Sequence, residues 1–140
     1  MKVLMDTCVI VDVLQSRGSF VEDAQTLFLL AANERFEGYI TAKSVTDIYY
    51  LTHRLTHSDQ KTREVLSGLF SFFAVADTTG ADCLHALSSA VSDYEDAVMA
   101  ETAARMKLDC IVTRNEADYQ ACRLRVLSPR DLIRALEEEM

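Results

Sequence analysis

The 140-residue sequence is about one domain of chain, 49% hydrophobic and 26% charged; this excludes a disordered or fibrous protein and allows one apolar core without disulfides or a structural metal. A formal charge of −8 excludes unaided binding of a phosphate backbone, so a nucleic-acid substrate requires metal ions or a local basic patch, while a basic protein partner would suit the acidic surface. No run approaches the roughly 18 apolar residues of a membrane helix, and the acids in MKVLMDTCVIVDVLQ do not fit a secretory signal, so a cytoplasmic protein with no membrane association is expected.

Lys2 to Met5 is a short apolar run ending at Asp6; Val9 to Leu14 is a second, which periodicity alone cannot assign, with Thr7 as a candidate helix cap. Phe20 to Asn33 carries a helical stripe through Val21, Ala24, Leu27, Phe28 and Ala31, Gly38 reads as a stop, and Tyr39 to Thr41 as a very short strand. Two consecutive helices follow, marked by Val45, Ile48, Tyr49, Leu51 and Leu55 and then by Val65, Leu66, Leu69, Phe70 and Phe73. Phe73 to Asp77 is a strand candidate, Cys83 to Val91 and Asp93 to Met106 are helices, and Cys110 to Thr113 is a buried strand. Arg125 to Leu127 is the last strand; Ser128 and Pro129 then cap a closing helix marked by Leu132, Ile133, Ala135 and Leu136. Short apolar strands alternating with helices predict an α/β fold with a parallel sheet and helices on both faces, over 1–140 as a single domain.

Ligands of open parallel sheets sit outside the carboxyl ends of the strands, so acids directly after strands are the candidate site. Asp6 ends the first strand, Asp47 lies one turn into the helix after the second, Asp93 and Asp96 open the helix leading to the fourth, and Asn115 and Asp118 follow the fourth. Hard carboxylate oxygens in this number suit magnesium, which activates water and stabilises charge on phosphoryl oxygens, so phosphodiester hydrolysis is the natural reaction. Each residue also has a structural reading. Asp6 could simply terminate a strand or cap the next turn, Asp47 stands three after Ser44 as in a capping box, and Ser92 with Glu95 forms another such box that places Asp93 in the first turn. Asp96 is not needed for capping, whereas Thr113, Asn115 and Asp118 also suit a plain strand-end turn.

His53 and His57 are four apart but lack the Glu of a zinc motif, and read as solvent-facing. Cys8, Cys83, Cys110 and Cys122 have no paired spacing and read as free, mostly buried thiols. Tyr49, Tyr50, Phe70, Phe72 and Phe73 could stack on bases, although their helical spacing favours core or interface. Arg105, Lys107, Arg114, Arg123 and Arg125 read as a solvated face before a phosphate guide.

The order MDTCVIVDVL, SVTDIYYL and SDYEDAVMAETAARMKLDCIVTRNEADY resembles a PIN domain, from Met1 to about Leu132. The resemblance implies a three-layer α/β/α sandwich with a central parallel sheet and a Mg2+ or Mn2+ site. It matches Asp6, Asp47 and Asp96 to the family's first three acids and the Asn115–Asp118 turn to the fourth, with Asp93 beside them. The second acid is commonly glutamate and is one methylene shorter here, and Asn115 stands where many members carry an acid. The resemblance further implies a ribonuclease whose metal is held by Asp6, Asp47 and Asp96, supported by Asp93 and Asp118, with Thr113 and Asn115 as positioning groups. Such domains are often toxins of a toxin–antitoxin pair, so an RNA substrate, a small antitoxin and a homodimer are expected. The rivals are a non-catalytic PIN-like module that binds RNA or protein, and another acid-cluster phosphotransfer protein such as a phosphatase or a receiver. A receiver would want a lysine after a late strand, where Arg114 and Asn115 stand.

Overall fold

The computed structural model describes residues 1–139; Met140 lies outside the described residues. Five strands, β1 (Lys2–Met5), β2 (Glu37–Thr41), β3 (Ala74–Ala76), β4 (Cys110–Val112) and β5 (Arg125–Leu127), form one parallel sheet in the order β3-β2-β1-β4-β5. Among the described residues six α-helices lie in the connections between strands, α1 (Thr7–Leu14), α2 (Val21–Ala32), α3 (Ala42–Thr56), α4 (Asp59–Phe72), α5 (Gly80–Ala86) and α6 (Tyr94–Arg105), and a seventh, α7 (Pro129–Glu138), follows β5.

Alternation along each strand builds the layers, because successive side chains point to opposite faces. Val3 and Met5 of β1, Ile40 of β2, Cys110 and Val112 of β4 and Leu127 of β5 join a core with Leu27 of α2, Ile48 of α3, Leu69 of α4 and Leu132 of α7. Leu4 and Ile111 face the other way, against Met99, Ala100 and Ala103 of α6. Both faces are covered, which is why the strands read as continuous apolar runs rather than alternating ones. The result is the three-layer α/β/α sandwich expected.

Several boundaries differ from the sequence-based expectation. The helix expected at Cys83–Val91 runs from Gly80 to Ala86, because Thr79 and Asp82 form a capping box that starts it earlier, and Val91 leaves the helix to pack with Ala86, Ala97 and Val98. Gly38 is not a stop but the second residue of β2; a Cβ there would lie 2.7 Å from Cε1 of Phe73, so only glycine lets that ring cover the strand. The segment left unassigned at Val9–Leu14 is helical, and its cap is Asp6 rather than Thr7.

Candidate active site

Chain order places β2 and β3 on one side of β1 and β4 and β5 on the other, so the crevice of the sheet opens where β1 meets β4. Asp6 leaves β1 there, its backbone N–H donating to the Val112 carbonyl at 3.0 Å. Its carboxylate is held at both oxygens: Oδ1 accepts from the Thr7 N–H at 2.8 Å, as the N-cap of α1, and Oδ2 accepts from the Thr113 hydroxyl at 2.7 Å. Asp6 is only 7% exposed and Thr113 is fully buried, so this pair fixes the floor.

Hydroxyls lock the adjoining helix. Thr7 Oγ1 donates to Ser44 Oγ at 3.0 Å, and Ser44 lies 2.8 Å from Thr41 Oγ1, a chain that ties the start of α1 to that of α3. Thr41 caps α3 by accepting from the Ser44 N–H, which corrects the reading of Ser44 and Asp47 as a capping box. Asp47 caps nothing. Its Oδ2 accepts from Lys43 Nζ at 2.9 Å, and the same ammonium reaches Glu95 Oε2 at 3.1 Å on α6.

Asp93 is the N-cap of α6 and accepts from the Asp96 N–H at 3.0 Å, so Ser92 and Glu95 form no capping box. Asp96, in the first turn, accepts from the buried Tyr119 hydroxyl at 3.2 Å. Burial, joined by the like charges of Asp6, Asp93 and Asp118, raises the Asp96 carboxyl to about 6 against that hydrogen bond. Burial and then the charges of Asp6 and Asp96 push the Tyr119 hydroxyl far above its usual range, so it remains a donor. Cys8 Sγ lies 3.6 Å from Asp6 Oδ2, and burial followed by the Asp6 charge raises its pKa, which keeps it a thiol.

A cleft of about 420 Å³ joins these groups, lined among others by Asp6, Asp47, Glu95, Asp96, Asn115 and Asp118. Among the described residues, no three His, Cys, Asp or Glu side chains come close enough to hold a metal ion by themselves. The candidate ligands of the cleft are carboxylate and amide oxygens, with the Cys8 thiol beside Asp6, a set that suits a hard cation which keeps several waters and needs only one or two carboxylates.

The PIN-domain family description matches residues 2–117 of this chain. The chain belongs to the PIN-domain family. Among solved structures, DNA-bound VapBC from Salmonella typhimurium is similar with a TM-score of 0.68 at 17% identity, covering 92% of this chain and 98% of that one. A toxin–antitoxin complex from Klebsiella pneumoniae gives 0.64 at 22%, covering 91% and 97%. Mycobacterium tuberculosis VapC20, a sarcin-ricin loop cleaving toxin, gives 0.65 at 11%, covering 88% and 98%. At such identities the likeness is one of fold. A comparison with curated proteins found no match.

In this PIN domain the cleft gathers Asp6, Asp47, Asp96, Asn115 and Asp118 from the expected set, with Thr113 beneath them and Asp93 exposed at the edge of α6. Lys43, Tyr119 and Arg54 were not anticipated as site residues. Lys43 at i−4 from Asp47 is a legible helical pair, whereas nothing local marks Tyr119. Of the basic residues read as a solvated face, Arg114 instead binds the buried Asp12 at 2.7 Å and stacks on Phe20, and Arg105 binds the buried Asp82 at 3.0 Å. His53 stacks on Tyr49 and His57 ends α3 in a left-handed conformation; neither joins a metal-binding group among the described residues. The four cysteines are free, as expected, but Cys110 alone of them is buried; Cys8, Cys83 and Cys122 are half-buried, against the expectation that most would be buried. No helix among the described residues is long and apolar enough to cross a membrane.

Proposed function

We propose that this PIN domain is a magnesium- or manganese-dependent endoribonuclease and the toxin of a toxin–antitoxin pair. The observation that carries the reading is the meeting of Asp6 and Asp96 in one cleft at the switch point of the sheet, where their like charges call for a cation. Asp6 and Asp96 would hold the ion, with Asp47 joining once Lys43 releases it, and Asp93 and Asp118 would support its waters. When bound, the ion activates water and stabilises charge on the phosphoryl oxygens. The chain's own part is positional. Thr113 and the Thr7 N–H fix Asp6, Tyr119 fixes Asp96, and Asn115, its backbone N–H donating to Thr113 Oγ1 at 3.0 Å, is set beside them.

The family and the toxin–antitoxin complexes among its structural neighbours support an RNA substrate and a small antitoxin partner; a basic antitoxin would suit the acidic cleft, and a homodimer is proposed with it. The test is cleavage of a panel of structured and single-stranded RNAs in magnesium or manganese by partner-free protein, beside Asp6→Asn and EDTA-treated protein. Cleavage lost in both controls supports the nuclease; cleavage surviving in Asp6→Asn sinks the assignment. A non-catalytic RNA- or protein-binding module is the second reading, favoured by the lack, among the described residues, of three acids close enough to hold a metal by themselves and by the Lys43 ammonium that already neutralises Asp47. It requires that no RNA be cut and that manganese leave the melting temperature unchanged.

A further inference from the structure

One wall of the cleft is chemically unlike its floor. Lys43, Tyr50 and Arg54 line the same cavity as Asp6, Asp96 and Asp118, and all three come from α3. Their spacing of seven and four residues places them in one row on one helical face, over about 16 Å of axis at 1.5 Å per residue. Among the described residues Arg54 makes no ion pair, in a chain with a net charge of −8. Tyr50 is 64% exposed, and the edge contact with Tyr49 at 5.3 Å, itself hydrogen-bonded to Asp59, holds its ring in place. A large aromatic side chain kept in water between two cations contributes little to folding, but it is the combination that grips a single nucleic-acid strand: phosphates on the cations, a base on the ring.

We infer that the α3 wall is the substrate track of this PIN domain, with the Tyr50 ring stacking on an unpaired base and Lys43 and Arg54 contacting the flanking phosphates. The inference rests on the ribonuclease reading for the direction of the strand, which runs along α3 toward the acids. It also gives Lys43 a third partner. In the free protein Lys43 is spent on Asp47 and Glu95; a phosphate arriving beside it competes for the ammonium and frees Asp47. A duplex would not bind in this way, because its bases are stacked on one another and offer no face to Tyr50.

The test is fluorescence anisotropy of a short labelled single-stranded RNA of mixed sequence, in EDTA at low salt, with wild type, Lys43→Gln, Tyr50→Ala, Tyr50→Phe and Arg54→Gln, each first shown to melt as wild type does. The same strand in duplex and an oligoglutamate peptide are titrated beside it, and cleavage in magnesium is scored separately. Tyr50→Ala should weaken binding of the strand about tenfold while Tyr50→Phe retains it. Arg54→Gln should weaken it several-fold and reduce the slope of log affinity against log salt by about 0.7, the loss of one single-strand phosphate contact. A wild type that binds duplex as well as strand, or no strand at all, or variants that all bind as wild type does, would overturn the track. Equal affinity for oligoglutamate with the same losses would assign the wall to an acidic protein segment and overturn it too. Binding that depends on Tyr50 and Arg54 without cleavage in magnesium would keep the track and remove the nuclease, whereas cleavage indifferent to all the variants would do the reverse.

Discussion

Asp96 is where function and stability oppose each other most directly. Its carboxyl is raised to about 6 by burial and by Asp6, Asp93 and Asp118, so at neutral pH the cation-free protein carries an unfavourable charge there. Asparagine at this position keeps an acceptor for the Tyr119 hydroxyl and removes the repulsion. Asp96→Asn is therefore expected to reduce RNA cleavage to background and yet to melt higher in EDTA near pH 8. Water in the open cleft limits the gain to about 1 kcal/mol, or about 3 °C for a chain of this size. A melting point that falls would mean that the carboxylate is serving the fold. Asp82 presents the opposite case. Burial would raise its pKa, but the Arg105 guanidinium and hydrogen bonding from the backbone N–H and side chain of Thr79 outweigh burial and leave it lowered. A lowered carboxyl stabilises the fold above its unfolded value near 3.8, and that stabilisation is lost as pH falls through the folded pKa. Asp82→Ala should thus cost about 2–3 kcal/mol at pH 7, from the lost cap and the lost guanidinium bond, and the gap to wild type should close below a pH of about 4. Urea midpoints of the two proteins at several pH values decide it; a gap that persists in acid would assign the loss to packing.

At the scale of elements, β2 shows why a residue that reads as a breaker can be a requirement of packing. Gly38 sits within β2 because the Phe73 ring, at the end of α4, occupies the space of its missing side chain, while Phe73 itself packs edge-on against Phe28 of α2 at 5.0 Å. Gly38→Ala should cost about 1–3 kcal/mol by overpacking, and Phe73→Leu in the same chain should recover part of that loss. A neutral Gly38→Ala in denaturant melts would show that the ring simply moves aside. The same contrast between local and distant causes explains what the sequence made legible. β1 and β4 are short apolar runs, and the acids that follow them need only chain order to be gathered at one crevice. The caps were harder. Thr41, Asp6 and Asp93 each compete with a neighbouring Thr or Ser of equal local merit, and the contest is settled by partners far along the chain, such as Thr113 for Asp6 and Thr7 for Ser44. Arg114 could not be separated from the other late basic residues for the same reason: its partner Asp12 is about a hundred residues earlier, in a helix whose type periodicity left open. Once paired, Asp12 and Arg114 brace the start of the loop that carries Asn115 and Asp118 against α1.

Across the whole molecule the charge of −8 and the acidic cleft make one electrostatic problem for the proposed substrate, since a phosphate chain would have to approach a surface of its own sign. The positive charge within the cleft is confined to the α3 wall, where Lys43 is already held by two carboxylates, so the fold neutralises Asp47 internally and leaves Asp6 and Asp96 to an external cation. The proposed division between lysine and metal has a thermodynamic signature. An ion that binds the folded chain and not the unfolded one raises stability by RT ln(1 + [L]/Kd), about 2.7 kcal/mol at a hundredfold excess over Kd, or about 8 °C here. Manganese should therefore raise the melting temperature of the wild type in a saturable way, and EDTA should reverse it. Asp6→Asn should abolish the rise, because it removes a floor carboxylate without touching Lys43. Lys43→Gln should not abolish it, and by releasing Asp47 to the ion should bring the half-effect to a lower manganese concentration. If Lys43→Gln instead weakened the effect of manganese, the lysine would be bracing the carboxylates for the metal and not competing with it, and the proposed release of Asp47 by an incoming phosphate would fail with it.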